Sequence, residues 1–265
     1  MTCTLKEGDL VVIEFDERRR FVTRLRKGAR TGSDVGVVLH DDVIGSPCGS
    51  YVPVRGGRGG YALVYKPSII DVLEHGFRRA TQVIYPKDSA LIAVLAGVGP
   101  GARIVEVGTG SGFVTALLAW LVGENGHVYT YEVRREALET AKRNLAMLGL
   151  EKRVTFHHRD ARLGILEENV DAVIVDMPDP WDILDEAYRA LKPGGVFAAY
   201  TPSAHQLYML MERLLEHGGF TRPRVMEVLL REWLPEPEAL RPASTMIAHT
   251  GFITVSRKVT KKEQV

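Results

Sequence analysis

The sequence has few cysteines: Cys3 and Cys48 are the two in 265 residues. Their spacing matches no set of metal ligands, and two thiols make no disulfide framework of the kind that holds small secreted domains together. The histidines His205, His217 and His249 lie far apart in the sequence, without an acidic partner nearby, which argues against a metal site. We therefore expect a reducing compartment, the cytoplasm, and no bound metal.

The sequence also lacks a net charge of either sign and any long hydrophobic run. The formal net charge is +1, so a nucleic-acid partner must meet local basic patches rather than a field over the whole surface. No apolar run reaches the length of a membrane span without a charge or a glycine, and residues 1–9 carry no secretion signal. These absences leave a globular protein without membrane association, large enough for one large domain or two unequal ones.

What the sequence has is an apolar run that stops at three closely spaced glycines. The run Ile-Val-Glu-Val at 104–107 is followed by Gly108, Gly110 and Gly112. A helix-favouring segment comes next, and this order of strand, tight turn and helix builds cofactor sites in parallel α/β sheets. Phe113 stands where a dinucleotide fingerprint needs its third glycine. The turn is therefore either a cofactor loop of another kind or a glycine-rich turn that binds nothing.

From residue 100 onward, strand and helix patterns alternate, which indicates a doubly wound parallel sheet. Strands are predicted over 104–107, 127–132, 154–160, 170–176 and 196–200, with a closing antiparallel pair over 224–230 and 252–255. Three of them end in acids, Glu132, Asp160 and Asp176, and open α/β sheets bind ligands at the carboxyl ends of their strands. Glu132 suits ribose hydroxyls, and Asp160 suits an adenine amino group or an ordinary helix cap. Asp176, followed by two prolines, is the best catalytic candidate.

Residues 1–75 read as short strands with turns between them, which indicates a small antiparallel barrel or curled sheet. Strands are predicted over 10–15, 21–25, 35–39 and 61–65. The arginines at 18, 19, 20, 24, 26 and 30 concentrate in one hairpin-like region, either as an edge charged against aggregation or as a surface for phosphates. After a boundary near residue 76, Asp88 is predicted to cap a helix over 89–95.

Several of these stretches resemble one family. The acidic-x-Gly-x-Gly-x-Gly pattern at 106–112 looks like the first motif of S-adenosylmethionine (SAM) methyltransferases. Together with Thr-Gln-Val-Ile-Tyr-Pro-Lys-Asp at 81–88 and His-Thr-Gly-Phe at 249–252, it resembles the tRNA (adenine-N1)-methyltransferase family in its single-polypeptide archaeal and bacterial form. The resemblance implies an α/β class I SAM-dependent methyltransferase, with a Rossmann-like doubly wound sheet. The implied divisions are an N-terminal β domain at 1–75, a catalytic domain at 76–259 and a charged tail at 260–265.

The resemblance also implies a reaction and a set of site residues. The target is adenine N1 at nucleotide 58 of the tRNA T-loop, with nucleotide 57 as a second target in archaeal members, and the enzyme is a homotetramer. Asp176 is the implied catalytic residue, and Tyr85 packs against the target base. Implied cofactor contacts are Gln82, Glu106, Val107, Gly108, Thr109, Gly110, Ser111, Gly112, Glu132, Arg134, Asp160, Ala161 and Asp176.

The residues leave two other functions open. One is a class I methyltransferase with a small molecule or a protein as its substrate, which does not need the arginine-rich N-terminal region. The other is a non-catalytic tRNA-binding subunit. Such a subunit is expected to have lost the glycine loop or the strand-end aspartate, whereas this chain keeps both.

Overall fold

In the computed structural model of the protein, residues 3–260 are described, and the chain divides into two compact units, 1–78 and 79–265. The predicted tail at 260–265 lies outside the described residues apart from Thr260. The elements of the first unit are β1 (Leu10–Asp16), β2 (Arg19–Arg24), β3 (Arg30–Ser33), β4 (Gly36–Leu39), α1 (His40–Val43), β5 (Ser50–Pro53), β6 (Tyr61–Tyr65) and α2 (Ile69–His75). They form an antiparallel four-stranded sheet in the order β2-β1-β6-β5 and a β3-β4 hairpin.

The first unit contains a disulfide that the sequence analysis did not predict. Cys3 and Cys48 are bonded, with their Cα atoms 5.4 Å apart, and the Cys48 N–H donates to the Cys3 carbonyl. The sequence analysis expected no disulfide framework and did not anticipate this single bond. The separation of 45 residues along the chain says nothing about how the folded sheet brings the two residues together. The cysteines accordingly give no support for a reducing compartment.

The second unit is built on one large sheet. The strands of this sheet are β7 (Arg103–Val107), β8 (His127–Glu132), β9 (Val154–His158), β10 (Val170–Val175), β11 (Leu191–Thr201), β12 (Arg224–Glu227) and β15 (Phe252–Arg257), while β13 (Trp233–Leu234) and β14 (Arg241–Pro242) pair with each other in a separate two-stranded sheet. Its helices are α3 (Pro86–Leu95), α4 (Phe113–Val122), α5 (Arg135–Leu148), α6 (Leu184–Ala190) and α7 (Ala204–His217). The sheet order is β12-β15-β11-β10-β7-β8-β9; β15 is antiparallel to its neighbours β12 and β11, and the five strands from β11 to β9 pair in parallel.

The parallel strands are buried on both faces, as their nearly continuous apolar runs require. On one face Val173 and Val175 of β10 pack with Leu184 of α6 and Leu210 of α7 in a single core cluster. On the opposite face Glu106 of β7 is buried below α4. Helices on both faces of a parallel sheet confirm the predicted doubly wound fold, and the carboxyl ends of the strands meet at one edge. No helix among residues 3–260 is long and apolar enough to cross a bilayer.

Helix α3 begins earlier than predicted. Pro86 is its first residue, Tyr85 is the N-cap residue, and no side chain caps the helix. Asp88 lies inside the first turn, and its carboxylate is fully buried against Lys87 and Thr250. The prediction that Asp88 caps the helix was therefore wrong. Proline suits the first position of a helix because its missing N–H needs no partner there, so the helix starts at the proline itself.

Candidate active site

Two adjoining cavities open in the second unit, where β7, β8 and β10 end. The larger cavity has a volume of about 470 Å³ and the smaller cavity about 320 Å³. Both cavities are lined by Gly108, Arg134, Asp176, Met177 and Pro178. Asp176 therefore lies at the boundary between the two cavities.

The glycine turn after β7 allows this arrangement. Gly108 has a φ of +98°, and a Cβ placed there would overlap the carbonyl oxygen of Asp176. The two strands thus approach as closely as backbone permits, and the Asp176 N–H donates to the Val107 carbonyl at 2.8 Å. Only glycine fits this position, because it has no Cβ and tolerates a positive φ.

The larger cavity is lined by two acids, Glu132 at the end of β8 and Asp160 just after β9. Its lining includes Val107, Tyr131, Glu132, Asp160 and Ala161. Carboxylate oxygens are acceptors, so the cavity offers partners for hydroxyl and amino groups, which are the donors that a nucleoside carries. The predicted site residues Glu132, Asp160 and Ala161 are thus brought together with Asp176 around one space.

An arginine two residues further along the chain engages each of these acids. The Arg134 side chain donates to Glu132 Oε1 and Oε2, and the N–H of Gly110 donates to Oε2 at 2.9 Å. The Arg162 guanidinium donates to both oxygens of Asp160, at 2.7 to 3.1 Å. Burial opposes the ionisation of Glu132, but these hydrogen bonds outweigh it and lower the pKa of Glu132. The hydrogen bonds from Arg162 lower the pKa of Asp160.

Asp160 serves as a helix cap, which is one of the two roles that the sequence left open for it, and contact with an adenine amino group stays a prediction. Its side chain accepts a hydrogen bond from the Arg162 N–H and caps the short 3₁₀ helix Ala161–Leu163. It also lines the larger cavity. The β9 strand itself ends at His158, two residues before the predicted end.

Among the described residues, 3–260, no side chain donates a comparable hydrogen bond to Asp176. Burial and the negative charge of Glu132 raise its pKa to about 6, and Arg134 opposes that rise. Glu106 is held differently: Thr115 and Thr130 donate to its Oε2 at 2.6 Å, while its Oε1 has no hydrogen-bond partner in the described part of the chain. Burial raises the pKa of Glu106 to about 8, so this carboxyl is largely neutral at pH 7. Burial thus raises the pKa of both carboxyl groups, but Asp176 lines both cavities and Glu106 lines neither.

Several predicted cofactor contacts do not line either cavity. Glu106, Thr109 and Ser111 are buried, and their side chains are occupied within the fold. The Ser111 hydroxyl accepts the N–H groups of Ala80 and Thr81, which fixes the segment leading into α3. Gly112 faces α5, where a Cβ would press on Ala141 and Leu145. As cofactor contacts these four residues stay predictions.

The smaller cavity contains aromatic side chains and amides. Its lining includes Gln82 and Tyr85, which the sequence predicted, and Tyr200, Gln206 and Thr250, which it did not. Burial raises the pKa of Tyr200 to about 12, so its hydroxyl stays protonated. Tyr200 ends the strand predicted over 196–200, so the rule that sites lie at strand ends was the signal that could have identified it.

The arginine-rich region of the first unit is partly internally paired. Arg19 forms ion pairs with Asp16 and Asp34, and Arg20 pairs with Glu14. Exposed cations that form no ion pair within residues 3–260 are Arg18, Arg26, Lys27 and Arg30. Over the same residues, no three His, Cys, Asp or Glu side chains are grouped to hold a metal ion.

The raised pKa of Asp176 predicts how stability depends on pH. An acid with a raised pKa in the folded state stabilises the fold less as pH rises, because the unfolded chain loses its proton first. We expect Asp176→Asn to raise the melting temperature of the ligand-free protein above pH 6 and to have little effect near pH 4. The measurement is a series of thermal melts between pH 4 and pH 8.

Asp160→Asn is the matched control, with the opposite sign. Because hydrogen bonds from Arg162 lower the pKa of Asp160, its stabilisation is present at neutral pH and is lost as pH falls. The control variant should therefore melt below the wild type at pH 7. An Asp176→Asn protein no more stable than the wild type at pH 8 would contradict the assignment of a raised pKa.

Comparison with known proteins identifies the family. The family model described as "tRNA methyltransferase complex GCD14 subunit" matches residues 67–241, and the one described as "TrmI-like N-terminal" matches residues 4–52. A relative from Methanocaldococcus jannaschii, tRNA (adenine(57)-N(1)/adenine(58)-N(1))-methyltransferase TrmI, is 31% identical over 91% of this chain and 93% of its own length.

Two solved structures cover almost the whole chain. One is described as a SAM-dependent O-methyltransferase from Thermotoga maritima, with a TM-score of 0.91 and 38% identity over 98% of this chain and 97% of its own. The other is the tRNA (m1A58) methyltransferase TrmI from Aquifex aeolicus, with a TM-score of 0.82 and 32% identity over 97% of this chain and 100% of its own. The family models match both the small N-terminal β region and the class I α/β region that follows it. The chain therefore belongs to the tRNA (adenine-N1)-methyltransferase family.

Proposed function

We propose that the protein is a SAM-dependent enzyme that methylates N1 of adenine 58 in the tRNA T-loop, with adenine 57 as a second candidate target. The observation that carries this proposal is the position of Asp176 between two cavities. One cavity has acceptors for a nucleoside cofactor, and the other has flat aromatic walls for a base. A carboxylate at their boundary faces both the donor and the acceptor of a transferred group.

The larger cavity fits SAM. Its two strand-end acids supply acceptors where a nucleoside needs them, and Gly108 keeps the backbone clear of side chains at the turn. In this proposal Glu132 holds the ribose hydroxyls, Asp160 holds the adenine amino group, and Arg134 orients Glu132. Gln82 contacts the cofactor from the smaller cavity. Bound SAM supplies an activated methyl group on a sulfonium, so the chain needs no metal and no covalent intermediate for the transfer.

The target base occupies the smaller cavity in this proposal. N1 lies on the Watson–Crick edge of adenine, so the base must leave its stack to reach the cavity. Tyr85 and Tyr200 offer aromatic surfaces on which an unstacked base packs. Holding the reacting atoms in line lowers the barrier by roughly 7–11 kcal/mol at best.

Asp176 acts on the charge that develops in the reaction. As N1 is methylated, positive charge spreads over the adenine ring and onto N6. An ionised Asp176 accepts a hydrogen bond from the N6–H and stabilises that charge, and this contact also selects adenine over guanine. A pKa of about 6 leaves Asp176 largely ionised at neutral pH, so it is ready to accept.

The N-terminal unit supplies phosphate contacts in this proposal, with 1–75 as the RNA-contacting β domain and 76–259 as the catalytic domain. The exposed cations Arg18, Arg26, Lys27 and Arg30 suit a polyanion. A tRNA substrate implies a cytoplasmic location. The enzyme's net charge of +1 makes local cations, rather than a global field, responsible for binding.

One rival activity has a specific observation behind it, because a similar structure is described as an O-methyltransferase. Transfer to a hydroxyl needs a base for the departing proton, and Asp176 is placed to serve there too. Adenine N1 carries a lone pair and no proton, so N-methylation needs only a charge-stabilising carboxylate. The geometry of the site is compatible with both activities, so the two are distinguished by which atom of the product carries the methyl group.

The first experiment tests the reaction itself. Purified protein, labelled SAM and an unmodified tRNA transcript should give labelled 1-methyladenosine on nucleoside analysis. A transcript with adenine 58 replaced by guanine serves as the control, and residual label in that transcript assigns nucleotide 57. Label in a 2′-O-methylated nucleoside, or in no nucleoside at all while SAM still binds, would contradict the proposal.

A pair of variants separates catalysis from cofactor binding. Asp176→Asn should keep SAM affinity within a few-fold and lose most turnover, because the amide cannot offset positive charge on the ring; removing one such group costs about 10²–10³ in kcat. Glu132→Gln should instead weaken SAM binding, measured by calorimetric titration. Equal loss of both properties in Asp176→Asn would move Asp176 from catalysis to cofactor binding, and unchanged affinity in Glu132→Gln would refute the ribose role.

We also propose that the enzyme assembles as a homotetramer. Segment 228–247 exposes a run of large apolar side chains: Leu229, Leu230, Trp233, Leu240, Met246 and Ile247. Such a patch on one short stretch is unusual for a monomer and suits contact with further copies of the chain. Native mass spectrometry should give the mass of four 29.4-kDa chains. A monomeric mass at micromolar concentration would refute the assembly.

A further inference from the structure

One histidine of the second unit joins two hydrogen-bond acceptors from different parts of the chain. His249 Nδ1 lies 2.5 Å from Glu227 Oε1, and His249 Nε2 lies 2.9 Å from the carbonyl oxygen of Pro202. Glu227 ends β12, Pro202 follows β11, and His249 precedes β15. The acidic partner of this histidine is 22 residues away along the chain, so the sequence alone did not pair the two. We call the contacts of His249 with Glu227 and Pro202 the His249 bridge.

The His249 bridge requires a positively charged ring. A carbonyl oxygen accepts hydrogen bonds and does not donate them, and the same holds for an ionised carboxylate. A neutral imidazole has one N–H, so it donates to one of these two partners and leaves the other without a donor. Only the imidazolium has an N–H on each ring nitrogen. The bridge is therefore complete in one protonation state of His249.

The charged groups around His249 favour this state. The hydrogen bonds to Glu227 and to the Pro202 carbonyl raise the pKa of His249, whereas partial burial and the positive charge of Lys87 oppose that rise. Lys87 belongs to α3 and is paired with Asp88 at 2.9 Å, so its charge is largely compensated. The bridge is thus present below this raised pKa and is lost as pH rises through it.

The bridge holds one wall of the smaller cavity from outside. Pro202 and Gln206 line that cavity, whereas His249 lines neither cavity. The Gln206 amide donates to the carbonyl of Pro178, which lines both cavities, at 2.8 Å. We call Pro202 and Gln206 the Pro202 wall. His249 therefore fixes the backbone of the Pro202 wall, and Thr250, the residue after His249, is itself part of the cavity lining.

We propose that His249, as an imidazolium, is a positioning residue that holds the Pro202 wall in place against the target base. His249 does not touch the reacting atoms. When its ring is neutral, one of its two partners loses a donor, the wall is held less firmly, and tRNA binds less well. This inference rests on the proposed function, because it assumes that the target base occupies the smaller cavity.

Two other roles compete with this one. A purely structural tie between β12 and the turn before α7 would lower the melting temperature when removed, without any effect on KM for tRNA. A direct contact between the cation and a tRNA phosphate is the second, but both ring nitrogens of His249 already have partners. A phosphate contact also weakens steeply with salt, because counterions compete for it. Kinetics at several pH values and salt concentrations therefore separate the three roles.

The main test compares His249→Gln with the wild type across pH. Glutamine is uncharged and has both donors on one nitrogen, so it does not span the two partners. At pH 6 we expect KM for tRNA to rise about 2- to 10-fold, the effect of one lost hydrogen bond, with SAM affinity unchanged. The ratio of the two KM values should fall towards one by pH 8, because the wild-type bridge is then lost as well. Asp176 titrates in both proteins and cancels from this ratio.

Glu227→Gln tests the charge separately from the contact. Its amide oxygen still accepts from the ring, but the imidazolium loses the negative charge that favours it. We therefore expect KM for tRNA to begin its rise at a lower pH than in the wild type, a shift that a structural tie does not predict.

His205→Gln is the matched control. His205 is an exposed histidine in the first turn of α7, three residues after Pro202, and its ring makes no hydrogen bond within residues 3–260. The same substitution at this position should leave KM for tRNA at the wild-type value at every pH.

Nuclear magnetic resonance tests the bridge without tRNA. The ring resonances of His249, assigned by their absence in His249→Gln, should titrate with a midpoint above the ordinary value of 6.5, and Glu227→Gln should lower that midpoint. The Ser203 amide shares a peptide group with the Pro202 carbonyl, so its nitrogen shift should follow the same titration in the wild type and not in His249→Gln. A Ser203 amide that does not follow the ring would show that His249 does not hold Pro202.

Several kinetic results would overturn the proposal. An unchanged KM for tRNA in His249→Gln at pH 6, or a KM ratio that stays constant across pH, would reduce the bridge to a structural tie. A ratio that falls to one at high salt would assign His249 to a phosphate contact instead. If His249→Gln does not fold, an unshifted pH dependence in Glu227→Gln has the same meaning. Failure of the proposed function looks different, because the wild-type protein then shows no turnover on tRNA while the resonances still report on the bridge.

Discussion

The approach of Asp176 to the glycine turn after β7 is the constraint on which the rest of the site depends. The carbonyl of Asp176 occupies the space that a Cβ at residue 108 would need, so the backbone following β10 packs directly on the turn. This contact leaves the Asp176 side chain at the boundary of both cavities. It also removes the carboxylate from most of its water, which is why the pKa of Asp176 rises.

Three carboxyl groups surround this turn, and each one has a different environment that shifts its pKa differently. Glu106 is buried under α4 and stays largely neutral, with two threonine hydroxyls on one of its oxygens. Glu132 is kept ionised by Arg134 and by backbone N–H groups. Within residues 3–260 the Asp176 carboxylate has no comparable hydrogen bond, and the charge of Arg134 offsets the effect of its burial only in part. Groups whose environments push their pKa values apart are typical of functional sites.

How far the sequence predicted the structure depended on the kind of contact. The parallel strands were found because a strand buried on both faces is a continuous apolar run, and the strand-end acids followed from that. Strands β3 and β5 were missed because their sequences, Arg-Thr-Gly-Ser and Ser-Tyr-Val-Pro, have no apolar alternation. Asp88 was misplaced as a helix cap because its partner Thr250 lies 162 residues away. The Cys3–Cys48 bond was missed for the same reason.

The sequence by itself determined the fold class, the glycine turn and the acids at the ends of the strands, since these depend on local patterns of apolar and small residues. Only the tertiary structure decided which of those residues share a space. In the folded structure the side chains of Glu106, Thr109 and Ser111 are buried, and Tyr200 and Thr250 line the smaller cavity. The physical reason is that side-chain direction and long-range pairing depend on how layers pack, which no short stretch of sequence encodes.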